Sequence, residues 1–149
     1  MLLGLPHLLT GDLLKILSDM GHGDEIVIAD ANFPAQRYGQ RVLHFPAVST
    51  VEMLRSVLKV VPLDHLGGSP VCLMEVAKED DCGVPAIWSL FKRELSVAGY
   101  VDTKFDLIER LNFYERSKTA FAVIQTGEMA LYGNLILRKG VIKSKEIAK

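Results

Sequence analysis

Two polar residues flank a short apolar run early in the chain, and both are of types that move protons or bind polar ligands. His22 stands between two glycines, and Asp30 directly follows the run of residues 25–29. An unperturbed imidazole has a pKa of about 6.5, so a histidine can hold or release a proton at neutral pH. A carboxylate directly after a buried strand must face a cleft or be hydrogen-bonded, because burying an unpaired charge is costly. The functional interpretation of the two residues is therefore a general acid/base for His22 and a ligand contact for Asp30.

Each of the two residues also has a purely structural interpretation. For His22 it is a surface residue in a Gly-His-Gly turn, and for Asp30 it is a cap of the turn at residues 31–33. If residues 25–29 form a strand, Asp30 lies at its carboxyl end, where open α/β sheets bind their ligands. His22 then lies at the other end of that strand. The local sequence therefore does not bring the two side chains together.

Further candidates lie later in the chain. Asp64 follows the predicted end of a helix at Pro62, and an Asx-turn is the alternative for it. Arg110 and Tyr114 belong to a charged, aromatic stretch that includes Glu115. The alternative for this stretch is a solvated helix face with the tyrosine packed against the core. Both segments are therefore candidates for a polar site, with a structural explanation beside each.

Tyr132 and Asn134 flank Gly133 just before the predicted last strand, where they offer a hydroxyl and an amide at close range. The alternative is a simple turn that bends at the glycine. The sequence contains no phosphate-binding glycine loop with its lysine, no G-x-G-x-x-G after a strand and no G-x-S-x-G. Polar groups of this kind without a phosphate loop suit a neutral, polyhydroxylated ligand. Residue types and spacing thus predict a polar, sugar-sized site.

Composition and charge argue against several other classes. A formal net charge of −1 gives no case for nucleic acid or a membrane surface. No apolar run approaches the roughly 18 residues of a transmembrane helix, and the first residues lack the basic region of a signal peptide. His22 has no partner at metal-ligand spacing, so no metal is expected. Cys72 and Cys82 predict free thiols in the cytoplasm, and residues 138–149 predict a frayed basic tail.

The elements that must position these residues alternate between helix and strand. Thr10 is predicted to cap a helix that ends with a left-handed Gly21, and Ser49 and Glu52 fit a capping box. Further predictions are helices at 85–98 and 112–119, strands at 26–29, 41–45, 71–76, 105–111, 121–125 and 134–137, and loops at 35–40 and 78–84. This alternation predicts a single α/β domain of three layers, with a mostly parallel sheet flanked by helices.

Three segments carry a resemblance to a known family. Residues 20–35 (MGHGDEIVIADANFPA), 113–122 (FYERSKTAFA) and 126–141 (TGEMALYGNLILRKGV) resemble, in this order, three blocks of the L-fucose mutarotases. These proteins share a family with the bacterial D-ribose pyranases. The F-Y-E-R and G-H-G-D-E motifs favour the fucose branch over the ribose branch. The likeness covers nearly the whole chain and is weakest in the loop at 78–85 and the C-terminal tail.

The resemblance implies an isomerase that interconverts the α and β anomers of free L-fucose, and of related sugars, by ring opening and closure without a cofactor. It implies His22 as the catalytic proton donor. Because mutarotation needs both an acid and a base, we hypothesise that Tyr132 shares the proton transfers with His22. The substrate contacts that it implies are Asp30, Asp64, Arg110, Tyr114, Tyr132 and Asn134. The family is oligomeric, with decamers among bacterial members and smaller assemblies among animal ones. A homo-oligomer is therefore expected, in which a neighbouring subunit or the end of the chain completes the site around His22.

Other functions remain open at this stage. A D-ribose pyranase would interconvert pyranose and furanose forms with the same chemistry. A non-catalytic sugar-binding or regulatory protein on the same fold would bind the sugar without accelerating its exchange. A nucleotide-binding domain is disfavoured by the missing phosphate loop.

Overall fold

The computed structural model describes residues 2–144. Helices and strands alternate along most of this range, as the sequence predicts. The described residues form the helices α1 (Gly11–Asp19), α2 (Ala35–Tyr38), α3 (Thr50–Val57), α4 (Ala86–Val97) and α5 (Arg110–Thr119). They form the strands β1 (Glu25–Ala29), β2 (Val42–Phe45), β3 (Val71–Met74), β4 (Asp106–Ile108), β5 (Ala122–Thr126) and β6 (Leu135–Arg138). Every predicted strand is present, with ends that differ by a few residues.

The strands form one sheet in the order β2-β5-β1-β6-β3-β4. β6 pairs antiparallel with both β1 and β3, whereas the other pairs are parallel. The start of β6 therefore lies at the same edge of the sheet as the carboxyl ends of the other strands. We call this edge the carboxyl edge and the opposite one the amino edge. The antiparallel strand fits between two parallel neighbours because the chain between β5 and β6 is too short for a parallel crossover.

Helices cover both faces of the sheet, which confirms the three-layer prediction. On one face, α1, α3 and α4 pack against alternate strand residues such as Ile26 and Ile28. On the other face, α2 and α5 pack against Val27 and Ala29. β1 is buried on both faces because it is central, and this explains its unbroken apolar sequence.

Two helix-start predictions are confirmed and one helix end is wrong. Ser49 and Glu52 form the predicted capping box at α3, and the Thr10 side chain accepts a hydrogen bond from the Leu13 N–H. The last residue of α1 is followed by extended backbone, and the left-handed glycine is Gly23, with φ 86°, not Gly21. The Gly21 N–H donates to the Asp24 side chain, so that a turn held by a carboxylate replaces the expected glycine stop.

Two other predictions also need correction. The loop expected at residues 35–40 contains α2, a single turn of helix whose first residue, Ala35, is buried against the sheet. A helix of four residues is too short to show the apolar periodicity that sequence analysis relies on. The frayed tail expected at 138–149 is wrong at its start, because Arg138 belongs to β6 and its side chain is largely buried. Residues 145–149 of that predicted tail lie outside the described residues.

Candidate active site

Asp30 lies at the carboxyl end of β1 and is buried against the start of β6. The Asp30 N–H donates to Asn134 Oδ1 at 2.8 Å, and Asn134 Nδ2 donates to Asp30 Oδ2 at 2.7 Å. The N–H of Asn32 donates to Asp30 Oδ1 at 3.0 Å. These bonds form because the antiparallel pairing of β1 with β6 places residue 134 beside the end of β1. The carboxylate retains lone pairs that can accept hydrogen bonds from hydroxyl groups.

The surroundings of Asp30 favour its neutral form more than water does. Burial raises the pKa of Asp30, and the nearby carboxylate of Glu128 acts in the same direction. Hydrogen bonds from Asn134 and from the N–H groups of Asn32 and Phe33 lower the pKa but do not cancel the effect of burial. Asp30 is therefore a desolvated hydrogen-bonding group at an edge where α/β proteins bind ligands.

Tyr132 lies at the same edge, in the loop before β6. Its backbone has φ 58°, in the left-handed region that few residues other than glycine adopt. The hydroxyl donates to Asp80 Oδ2 at 2.7 Å and accepts from the N–H of Ala77 at 3.1 Å. The carbonyl oxygen accepts from Trp88 Nε1 at 3.1 Å. These three bonds hold the residue in its unfavourable backbone conformation, a pattern found at functional sites.

The hydroxyl of Tyr132 is held as a neutral phenol. Burial raises its pKa, and the Asp80 carboxylate adds to this effect, while the N–H of Ala77 opposes it. A neutral phenol that is hydrogen-bonded to a carboxylate can accept a proton from a ligand while it passes its own proton to that carboxylate.

Arg110 begins α5, just after the carboxyl end of β4. It lines a cavity of about 260 Å³ together with Glu109 and with residues 75–79, which follow β3. The Glu109 carboxylate accepts from the N–H groups of Leu111 and Asn112 and so caps the helix. Within residues 2–144 the Arg110 guanidinium has no ion-pair partner. It is exposed and available to bind hydroxyl groups of a ligand.

Tyr114 lies one turn further along α5 and links this region to Asp30. Its ring stacks on Tyr38 at 4.9 Å and meets the edge of Phe33 at 5.5 Å. Burial raises the pKa of Tyr114; the charge of Arg110 opposes that rise and the charge of Asp30 adds to it. Tyr114 is therefore within electrostatic range of both residues. The alternative of a solvated helix face with the tyrosine packed against the core also agrees with the structure. Tyr114 packs against buried residues, Arg110 and Glu115 are exposed, and Glu115 pairs with Lys118.

His22 and Asp64 lie at the amino edge. The His22 side chain is 50% exposed, and its Nε2 lies 3.5 Å from Asp64 Oδ1. Asp64 Oδ1 also accepts from the N–H of Leu66 at 2.9 Å, and Oδ2 accepts from Arg138 Nε at 3.0 Å. The N–H of Leu66 lowers the pKa of Asp64, with further lowering by Arg138 and His22. Asp64 is therefore a carboxylate at neutral pH, in contact with an accessible imidazole.

The predicted site residues thus fall into two groups within one chain. The five residues Asp30, Arg110, Tyr114, Tyr132 and Asn134 lie at the carboxyl edge, whereas His22 and Asp64 lie at the amino edge. β1 separates the groups, and its five residues span about 16 Å. A monosaccharide bound at one edge of a chain cannot reach the other edge of the same chain.

Two polar residues escaped the sequence analysis. Asp80 lies in a loop without a recognisable pattern, and nothing in the sequence indicates that it meets Tyr132. Arg138 directly follows the apolar run of β6, so the argument that singled out Asp30 would also have identified it.

Thiol, metal and membrane features add nothing further to the site. Cys72 is buried, which raises the pKa of its thiol to about 11, and Cys82 is exposed; both are free. Residues 2–144 contain no group of three or more His, Cys, Asp or Glu side chains that could hold a metal ion. None of the helices in this part of the chain is long and apolar enough to cross a membrane.

The fold and the candidate site define an α/β protein with acid/base and hydrogen-bonding groups at the two edges of its sheet. The chain belongs to the RbsD / FucU transport protein family, whose sequence model matches residues 4–142. This confirms the family recognised from the three sequence blocks.

Similar proteins and structures agree with this assignment. The fucose mutarotase of Homo sapiens is 47% identical over 144 residues, which cover 93% of each chain. The crystal structure of the fucose mutarotase from Streptococcus pneumoniae in complex with L-fucose matches with a TM-score of 0.88 at 39% identity, covering 95% of this chain and 100% of that one. The structure of Bacillus subtilis RbsD complexed with D-ribose matches with a TM-score of 0.70 at 26% identity, covering 91% and 95%.

Proposed function

We propose that this protein is an L-fucose mutarotase, a cofactor-independent isomerase that interconverts the α and β anomers of free L-fucose. The observation that carries the proposal is the likeness to the L-fucose complex of the Streptococcus pneumoniae fucose mutarotase over 95% of this chain. The human relative, also a fucose mutarotase, supports it at 47% identity. The groups at the carboxyl edge are of the kinds that bind hydroxyls, which agrees with a sugar ligand.

Mutarotation requires one acid and one base. The acid protonates the ring oxygen as its bond to the anomeric carbon breaks, and the base takes the proton of the anomeric hydroxyl as the aldehyde forms. We assign the acid to His22 and the base to Tyr132, which passes its phenolic proton to Asp80. Rotation of the open chain and closure on the other face reverse both transfers. The two groups exchange roles on closure, which favours residues that gain and lose protons readily.

The other carboxyl-edge residues fix the sugar. Asp30 and Asn134 form a rigid hydrogen-bonded pair with free acceptor sites, and Arg110 offers a guanidinium with no ion-pair partner among the described residues. Tyr114 supplies an aromatic face between them. Asp64 enters the site together with His22, which it contacts.

We further propose that the site is completed between subunits of a homo-oligomer in the cytoplasm. His22 and Asp64 of one subunit would face the carboxyl edge of its neighbour. Within one chain these two residues cannot meet the residues at the carboxyl edge. Exposed apolar side chains lie near both edges: Leu66, 71% exposed, follows Asp64, and Met129, 85% exposed, lies in the loop before β6. Contact between subunits would cover them. The free thiols agree with a reducing compartment.

Mixing two inactive variants tests the shared site. His22→Gln and Asp30→Asn chains should each be nearly inactive in L-fucose anomer exchange. After joint unfolding and refolding, about a quarter of the sites should combine an intact His22 with an intact Asp30 from the neighbouring chain. Recovered exchange supports a site between subunits. A mixture that stays as inactive as its components argues that His22 of one subunit does not complete the site of its neighbour.

Two alternative functions, a D-ribose pyranase and a non-catalytic sugar-binding protein, are compatible with the same fold. The likeness to the D-ribose complex of Bacillus subtilis RbsD, at 26% identity, favours a D-ribose pyranase. Saturation-transfer NMR separates the functions, since it measures ring opening and closure of L-fucose and D-ribose at equilibrium. We expect the protein to accelerate the exchange of L-fucose more than that of D-ribose. The reverse order would indicate a pyranase, and saturable binding without acceleration would indicate a sugar-binding protein.

A further inference from the structure

Arg138 contacts Asp64, the carboxylate that lies beside His22. Its Nε donates to Asp64 Oδ2 at 3.0 Å, and its side chain is only 18% exposed. Its Nη2 lies 3.3 to 3.4 Å from the carbonyl oxygens of Leu66, Gly67 and Gly68. One N–H group of the guanidinium thus binds the Asp64 carboxylate, while another binds the backbone carbonyls of residues 66–68. A lysine has a single point of charge and cannot reproduce this fork of donors.

Asp64 is fixed from several directions as a result. Arg138 engages one oxygen, and the N–H of Leu66 engages the other, which also faces His22 Nε2. The carboxylate side chain is 8% exposed. It therefore has little freedom to reorient toward a ligand, and its remaining contact is with the imidazole.

The orientation of the imidazole follows from this contact. The opposite flip of the ring would place a carbon atom against the Asp64 carboxylate, so Nε2 is the atom that faces it. Beside an anion, Nε2 acts as the N–H donor of the ring. Among the described residues, Nδ1 has no hydrogen-bonding partner, and the side chain is half-exposed.

We propose that Asp64 and Arg138 are positioning residues, and that Nδ1 is the atom of His22 that exchanges protons with the sugar. Arg138 holds Asp64, and Asp64 holds Nε2–H, so that Nδ1 faces outward. The inference rests on the proposed mutarotase function. It makes His22, and not a sugar hydroxyl, the partner of the Asp64 carboxylate. Protonated Nδ1 gives its proton to the ring oxygen as the C1–O5 bond breaks, and it takes the proton back on closure. In many proteins a hydrogen bond at one ring nitrogen of a histidine fixes the tautomer and leaves the other nitrogen to react.

Two measurements on the same variants test the proposal. Long-range ¹H–¹⁵N NMR of the oligomeric protein reports which ring nitrogen of His22 carries the proton, with the signals assigned by their loss in His22→Gln. Saturation-transfer NMR gives the rate of L-fucose exchange, and a titration gives L-fucose affinity. In the wild type we expect neutral His22 to be protonated at Nε2. In Asp64→Asn and Arg138→Lys we expect that preference to weaken and the exchange rate to fall about tenfold or more, with L-fucose affinity nearly unchanged.

Asp24→Asn is the matched control. Asp24 belongs to the same turn as His22, but its carboxylate accepts from the Gly21 N–H, a bond that the asparagine oxygen can keep. We expect this variant to retain both the tautomer and the exchange rate. If Asp64→Asn does not fold, Arg138→Lys, which keeps the charge, carries the test.

Two results would overturn the proposal. One is an unchanged His22 tautomer in Asp64→Asn and Arg138→Lys. The other is loss of L-fucose affinity in Asp64→Asn with the tautomer intact, which would make Asp64 a sugar contact. Failure of the proposed function looks different: the wild type would then not accelerate L-fucose exchange, while the tautomer would still show whether Asp64 positions His22.

Discussion

Asp30 and Asn134 are 104 residues apart in sequence and exchange two hydrogen bonds at the carboxyl edge of the sheet. Asn134→Ala would leave the Asp30 N–H without its acceptor and Asp30 Oδ2 without its donor, both in a buried environment. Because loss of a hydrogen bond to a charged group typically costs about 1.5 to 3 kcal/mol, we expect a loss of that size in the free energy of unfolding. Urea unfolding measures it.

Asn32→Ala is the control for this substitution. Asn32 contacts Asp30 through its backbone N–H, which the alanine retains, and its side chain is exposed. We expect it to stay within about 0.5 kcal/mol of the wild type. Equal losses in the two variants would show that the Asp30–Asn134 pair does not stabilise the fold.

The raised pKa of Asp30 predicts a characteristic dependence of stability on pH. The folded protein binds this proton more tightly than the unfolded chain, whose carboxyl titrates near 3.8. The stabilising contribution is therefore complete below pH 3.8 and is lost as the pH rises through the higher pKa of the folded state. Relative to Asp30→Asn, the wild type should lose unfolding free energy as the pH rises above 3.8. Urea unfolding of both proteins across this range measures the difference, and a rise with pH would contradict the prediction.

Tyr132→Phe removes the hydroxyl that bonds Asp80 and the N–H of Ala77. We expect L-fucose exchange to fall about a hundredfold, since a positioned acid/base group typically contributes this much or more. Tyr100→Phe is a matched control, because that hydroxyl accepts from the Leu63 N–H and has no place in the proposed chemistry. Comparable exchange rates in the two variants would exclude Tyr132 from the proton transfers.

Gly127 allows a close approach of backbone segments at the carboxyl edge. A Cβ added there would overlap the carbonyl oxygen of Pro46, which is backbone and cannot move aside cheaply. We expect Gly127→Ala to lower the free energy of unfolding by about 1 to 3 kcal/mol. Gly11→Ala, with open space around the added atom, is the control and should be nearly neutral. Thermal or urea unfolding of the pair measures this, and a neutral Gly127→Ala would refute the clash.

Local signals explain what could be predicted from the sequence. The capping box at Ser49 and the apolar run of β1 depend on residues within a few positions of one another. The placement of His22 and Asp30 at opposite ends of β1 followed from that run alone. The single-turn helix α2 was missed because four residues carry too little periodicity.

Contacts between distant segments could not be predicted from local patterns. The insertion of β6 between β1 and β3 brings Asn134 to Asp30, and no residue near either one encodes that pairing. The ion pair of Arg138 with Asp64 spans 74 residues and depends on the same strand order. Residue types and positions identified the candidates and the family resemblance gave them roles, but only the structure shows which of them lie together.

The most direct test of the proposed function compares L-fucose anomer exchange with the wild type and with His22→Gln, by saturation-transfer NMR. We predict that the wild type exchanges the anomers well above the rate in buffer, and that the variant falls close to the buffer rate while it retains its fold. A wild type no faster than buffer would contradict the mutarotase function. A variant as fast as the wild type would remove His22 from the chemistry.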